Sequence, residues 1–171
     1  MPERRVLGQP LRSFVDELAL CVAANGGRGP ALSWPEDPMT LPALLELPRP
    51  ARPAPGVNST VPGGPGAEEL AAELGRRLQL RVRPSFRFLS PDSPVVENVP
   101  NGAESTVTVL EGACRCVLSR VGEDPAPGPS HPLGMRLRSG GTLFVPQVHT
   151  YRLSEIHVPT TLLRLDLESP E

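Results

Sequence analysis

At 171 residues the chain is long enough for one domain with a buried core, and no stretch of it approaches the ~18 apolar residues in a row that a bilayer crossing needs. Its formal charge of −2 provides no field for nucleic acid or an anionic membrane, and all 17 basic residues are arginine. The missing lysine excludes a Walker A phosphate loop, a Schiff-base lysine and a Ser-Lys dyad. Three cysteines cannot all pair within one chain. No apolar signal core follows Met1-Pro2-Glu3-Arg4-Arg5, so the expected location is cytoplasmic.

The first predicted element is a helix over 13–25. Ser13 with Asp16 has the form of a capping box, Phe14, Leu18 and Val22 make one apolar stripe, and Asn25-Gly26-Gly27 supplies a stop. Residues 30–66 are dense in proline. Within them 41–47 reads as a short helix with Thr40 as its N-cap, and Pro48 to Gly56 as an exposed polyproline-like run. The clearest helix covers 67–78, where Leu70, Leu74 and Leu78 recur every four residues. Glu68 and Glu69 in its first turn and Arg76 and Arg77 in its last suit the helix dipole. Gly75 is expected to weaken this helix by about 1 kcal/mol relative to Ala.

From Leu80 the period changes to two. Short strands are predicted over 80–83, 86–88, 105–110, 113–120, 135–138, 142–145, 148–153 and 161–167, with Glu111-Gly112 as a tight turn. Phe86, Phe88, Leu110 and Phe144 read as barrel core. Cys114 and Cys116 lie two apart, so they share a strand face and read as a buried apolar pair. Arg76, Arg77, Arg81, Arg83 and Arg87 read as a solvated helix end and the outer face of a strand rather than an RNA-binding patch.

Three stretches carry a resemblance. Arg83 to Pro91 is a first strand behind a helix, Val107 to Leu118 is a hairpin turning on Glu111-Gly112, and Gly140 to Pro146 is a strand ending in proline. In this order and spacing, Ala67 to Leu167 resembles the JmjC-type cupin hydroxylases, which depend on Fe(II) and 2-oxoglutarate. The resemblance implies a mainly β chain with an N-terminal α segment. Residues 67–171 would form a double-stranded β-helix, a cupin or jelly-roll barrel, with a helical, Pro-rich segment over 1–66 packed on it.

The resemblance also implies where the chemistry should sit. The family's His-x-Asp pair falls on Val99 and Asn101, its distal His on Tyr151, and the lysine that anchors the cosubstrate on Cys114. Gly141 stands where Asp is usual. A 2-His-1-carboxylate triad holds Fe(II) on one face and leaves three positions open. Val99 cannot ligate, Asn101 lacks the charge, and Cys114 cannot clamp a carboxylate. The expectation is therefore a catalytically degenerate member that needs no cofactor. It would act as an accessory or partner subunit, to an active hydroxylase or a biosynthetic enzyme, or by self-association, with no nucleic acid and no membrane. Two alternatives stay open. One is an Fe(II)- and 2-oxoglutarate-dependent oxygenase with an atypical metal site of His149, His157 and Glu104. The other is a metal-free small-molecule barrel, its mouth lined by Val99, Cys114, Cys116 and Tyr151, with Cys116, His149 and Phe144 as the possible pocket.

Overall fold

The computed structural model describes residues 6–54, 56–91, 95–98, 103–120 and 133–170, with 95–98 as backbone alone. In chain order the elements are α1 (Gln9–Asn25), β1 (Ala31–Ser33), α2 (Thr40–Leu45), β2 (Ser59–Pro62), α3 (Pro65–Leu78), β3 (Arg81–Leu89), β4 (Val95–Asn98), β5 (Glu104–Glu111), β6 (Ala113–Arg120), β7 (Leu133–Arg138), β8 (Thr142–Val145), β9 (His149–Ser154) and β10 (Thr160–Glu168).

Strands β3 to β10 are one long antiparallel hairpin. β6 pairs with β7, β5 with β8, β4 with β9, and β3 with β10. The hairpin then rolls on itself, so that β5 also pairs with β10 and β6 with β9. The product is two sheets, ordered β1-β8-β5-β10-β3-β2 and β4-β9-β6-β7. This is the jelly roll, the double-stranded β-helix of the cupin type. The expected closed barrel is corrected to two open, facing sheets. Rolling pairs the hairpin's two ends, β3 and β10, inside one sheet, and each sheet then keeps its own edges.

The turn between β5 and β6 depends on Gly112. Its φ is +86°, and a Cβ there would meet the Thr160 hydroxyl and come within 3.0 Å of the Pro159 carbonyl. No other residue type fits both the backbone and the space.

The helices start differently from expectation. α1 begins at Gln9 behind Gly8, so Ser13 lies inside it and caps nothing. Pro10 presets the first turn, and Leu11 extends the buried stripe of Phe14, Val15, Leu18 and Val22. Thr40 is likewise inside α2, where Met39 is the N-cap, and the Asp37 carboxylate accepts the Met39 N–H at 2.8 Å. α3 starts at Pro65 and ends on Gln79 in the left-handed conformation. Gly75 is no weakness there. A Cβ at this position would come within 2.7 Å of the Leu80 carbonyl oxygen, so the helix needs glycine to let the chain turn back into β3.

Three short strands come from segments where no strand was predicted. β1 and β2 lie in the proline-dense region and edge the larger sheet, and β4 edges the smaller one. Pro62 is tolerated in β2 because an edge strand need not donate on both sides.

Two buried layers result. The helices cover one face of the six-stranded sheet, burying Phe14, Leu18, Leu70 and Leu74 against Phe86, Phe88, Leu110, Phe144, Leu163 and Leu165. The other face looks at the four-stranded sheet and buries Val107, Val109, Cys114, Cys116, Leu143, Tyr151, Leu153 and Leu162. Phe86, Phe88, Leu110 and Phe144 are thus core, but under the helices rather than inside the jelly roll. Strand alternation decides the face, and both faces of this sheet are buried.

Candidate interior site

Alternation along β9 turns His149, Tyr151 and Leu153 inward, and all three are buried. This matches the expectation that His149 shares a face with Tyr151. On the opposing sheet Phe86 and Phe88 of β3 and Leu163 and Leu165 of β10 face the helices, so Arg87 and Arg164 stand on the inner face. Arg87 is thereby corrected from the outer face of its strand.

Arg164 is 7% exposed and organises the interior. Its Nη1 donates to the Tyr151 hydroxyl at 3.3 Å, and its Nε donates to Asp166 Oδ1 at 2.7 Å. The Ser105 hydroxyl donates to the same Oδ1 at 2.6 Å. The Asp166 carboxylate thus accepts one bond from a guanidinium and one from a hydroxyl.

Burial pushes the Tyr151 hydroxyl up to about 12, although the charges of Arg164 and Arg87 pull it the other way. It is a neutral phenol at physiological pH. Burial pulls Arg87 down; Tyr151 raises it, and repulsion from Arg164 lowers it further. Arg164 also loses hydration to burial, but Tyr151 and Asp166 outweigh that and raise it. Beneath them burial holds the thiols protonated, Cys114 up to about 11 and Cys116 up to about 12. A buried, protonated thiol is neither a nucleophile nor a ready metal ligand.

The other predicted site residues are spread apart. His149 places Nδ1 3.2 Å from the Gln147 carbonyl; that oxygen only accepts, so Nδ1 carries the proton. His157 is exposed in the segment leading to β10, and Glu104 is half-buried at the start of β5, its carboxyl raised by burial. Among the described residues no three His, Cys, Asp or Glu side chains converge on a point that would hold a metal, so His149, His157 and Glu104 are not brought together. Phe144 lies under the helices, away from Cys116 and His149. Val99 and Asn101 lie outside the described residues. A neutral phenol beside two guanidiniums is a poor match for a divalent cation, and Cys114 offers a 2-oxoglutarate carboxylate no charge to bind.

The basic cluster also separates. Arg76 and Arg77 pair with Glu73, Arg77 also with Asp16, and Arg83 with Glu168 at 3.1 Å. The Pro-rich run is largely exposed as expected, yet two arginines pin it to the end of the larger sheet. Arg52 donates to Thr161 Oγ1 at 3.0 Å and lies 5.8 Å from the Phe88 ring centre, and Arg49 pairs with Glu111 at 3.6 Å.

Arg164 and Asp166 escaped the sequence reading. They alternate with Leu163, Leu165 and Leu167, and a charge between leucines on a strand ordinarily marks the solvent face.

Among the described residues no helix is long and apolar enough to cross a membrane. No protein family and no curated protein sequence matches the chain. Among solved structures it is similar to a vicilin from hazelnut, Corylus avellana, at 16% identity over 68% of this chain and 30% of that one, with a TM-score of 0.47. The TT1209 protein of Thermus thermophilus is 19% identical over 74% of this chain and 95% of that one, with a TM-score of 0.47. A cupin superfamily protein from Desulfitobacterium hafniense is 12% identical over 69% of this chain and 84% of that one, with a TM-score of 0.45. The chain thus spans under a third of the hazelnut vicilin's length. The nested pairing of β3 to β10 is what makes the fold a cupin-type jelly roll.

Proposed function

We propose that this chain is a JmjC-like cupin without the family's metal chemistry, acting through protein binding as an accessory or partner subunit. The observation that carries the reading is Tyr151. It is a buried neutral phenol held by Arg164, at the position where the resemblance puts the family's distal His. Cys114, where the resemblance puts the family's cosubstrate lysine, is a protonated thiol that cannot replace a lysine.

A surface suited to a protein partner lies at the β1 edge. β1 ends the larger sheet, so one side of its backbone has no neighbouring strand among the described residues. Leu32 on this strand, Trp34 just after it, Met39 before α2 and Leu20 on α1 are all exposed. The Glu17 carboxylate accepts the Glu36 N–H at 3.2 Å, which ties this segment to α1 one turn before Leu20. A partner strand added to β1 would cover apolar side chains and open backbone groups together.

The test has two arms. The full chain is weighed by light scattering and used to recover partners from its native host. A stoichiometric partner or a dimer is expected, lost in Leu32→Glu and kept in Glu155→Ala, a surface control. A monomer with no partner overturns the reading. So does conversion of 2-oxoglutarate to succinate by the iron-supplied chain, abolished in His149→Ala.

A further inference from the structure

The four-stranded sheet has a basic outer face. Arg115 on β6 stands between buried Cys114 and Cys116, Arg136 and Arg138 on β7 flank buried Leu137, and Arg152 on β9 separates buried Tyr151 and Leu153. Alternation therefore turns all four away from the interior, and all four are exposed. Arg115 lies opposite Arg136, and Arg152 lies opposite Val117, two residues further along β6. The four thus make one diagonal stripe from β7 to β9. β6, β7 and β9 contain no Asp or Glu. Glu155, just after β9, serves both Arg115 at 3.4 Å and Arg136 at 3.9 Å. Arg138 and Arg152 have no carboxylate partner among the described residues.

β7 also ends its sheet, so one side of its backbone lacks a neighbouring strand among the described residues. On its inner face Leu133 and Met135 lie opposite Leu118 and Cys116. Leu133 is 52% exposed, and Met135 is only partly buried beside the inner cluster. A strand laid along this edge would meet guanidiniums on one face and uncovered apolar side chains on the other. Carboxylates two residues apart on that strand match the spacing of Arg136 and Arg138, because both strands repeat every two residues. Guanidinium forks suit carboxylates in such pairs.

Two other occupants fit less well. A second copy of β7 would bring more arginine to the same face, and like charges on opposed strands repel. Nucleic acid finds no base-stacking platform, since β6 and β7 carry no aromatic side chain and Tyr151 of β9 points inward. Nor can a sugar-phosphate backbone continue a sheet ladder.

We infer that β7 docks an extended segment of a partner protein as an added strand, with acidic residues facing Arg136 and Arg138 and alternating apolar residues facing Leu133 and Met135. This edge belongs to the other sheet from β1, so it stands on different residues from the surface described above.

The probe is a fluorescent, end-capped peptide of alternating glutamate and valine, titrated into the full chain and read by anisotropy. The comparisons are a peptide of the same composition with its glutamates and valines in separate blocks, and a single-stranded thymidine oligonucleotide. The alternating peptide is expected to bind at least about tenfold more tightly than either, and to slow amide exchange along β7. Arg136→Gln with Arg138→Gln, shown to be folded by circular dichroism, should weaken it by at least about tenfold, and Leu32→Glu should leave it unchanged. The inference falls if the alternating peptide does not bind, or if the block peptide or the oligonucleotide binds as tightly. It falls equally if the double arginine variant binds unchanged or if the β7 amides gain no protection. A chain that recovers its host partner through β1 but ignores the peptide sinks this inference alone. One that binds the peptide but has no host partner sinks the partner reading alone.

Discussion

The six-stranded sheet buries two faces, and they differ in chemistry. Toward the helices the buried cluster is mostly hydrophobic, from Leu11 and Phe14 of α1 through Leu70 and Leu74 of α3 to Phe86, Phe144 and Leu163 of the sheet, and the buried polar groups on that side are neutral hydroxyls such as Thr106, Thr108 and Thr142. Toward the second sheet the floor is equally apolar, but Tyr151, Arg164, Asp166 and two thiols share the space. The first layer is what area burial alone would select, since each large apolar side chain removed from water stabilises by about 1.5–3 kcal/mol. The second gives part of that away, because a buried ion pair is often no better than hydrophobic residues of the same volume. Polar groups kept where they lower stability point to a role other than stability. The helical layer carries apolar burial, and the interior between the sheets carries the charged groups.

Substitutions can break or sharpen this contrast. The largest loss is expected under the helices. Leu70 is fully buried, and Leu70→Ala should cost about 3 kcal/mol in urea unfolding while leaving peptide binding at β7 intact once the chain is folded. A cost below about 1 kcal/mol would mean that this layer is loosely packed.

In the interior, Asp166→Ala takes a carboxylate away from Arg164. The Arg164 side chain is 8% exposed and that of Asp166 20%, so partial hydration tempers the penalty to about 2 kcal/mol. Adding Arg164→Met should restore most of it, since the cost comes from a buried charge that has lost this carboxylate. A double variant as unstable as the single one would show that the polar group itself holds the sheets together.

Gly75→Ala separates packing from propensity at the seam between α3 and β3. Helix propensity alone forecasts a gain of about 1 kcal/mol. Overlap with the Leu80 carbonyl forecasts a loss of about 1–2 kcal/mol instead. The sign of the change in urea midpoint decides between them.

A separate effect is read in alkali. Cys114 and Cys116 lose their protons near 9 when unfolded but at about 11 and about 12 when folded, and Tyr151 moves from 10 to about 12. Between these limits the native chain holds protons that the unfolded chain has released. Stability is therefore full below pH 9 and falls as pH rises toward 12. Cys114→Ser with Cys116→Ser should flatten that slope. In the native state a thiol reagent should reach the half-buried Cys21 before the other two, which react only on unfolding.

Much of the architecture was legible from local pattern. β6 and β8 occupy the predicted residues because turns bracket them, Gly112 before one and Gly140-Gly141 before the other. α1 was read one turn short because Pro10 and Leu11 were not counted into the helix. β1 and β2 are edge strands of three and four residues among prolines, too short to show a period. The site was legible only in part. The shared face of Cys114 with Cys116 and that of His149 with Tyr151 follow from strand alternation. Arg87, Arg164 and Asp166 do not.

The sequence by itself determined the alternation of each strand, the order of the elements and the apolar stripes of the helices, because these depend on neighbours a few residues apart. Only the tertiary structure decided which side of each strand meets which layer. Leu163 and Arg164 alternate on β10 as a half-exposed strand would. Yet one side meets the helices and the other meets the second sheet, and neither meets water. Rolling the hairpin brings Arg164 of β10 to Tyr151 of β9 and Asp166 to Ser105 of β5. That second pair is 61 residues apart in the chain. No local pattern encodes such a meeting, because it exists only once the two sheets face each other.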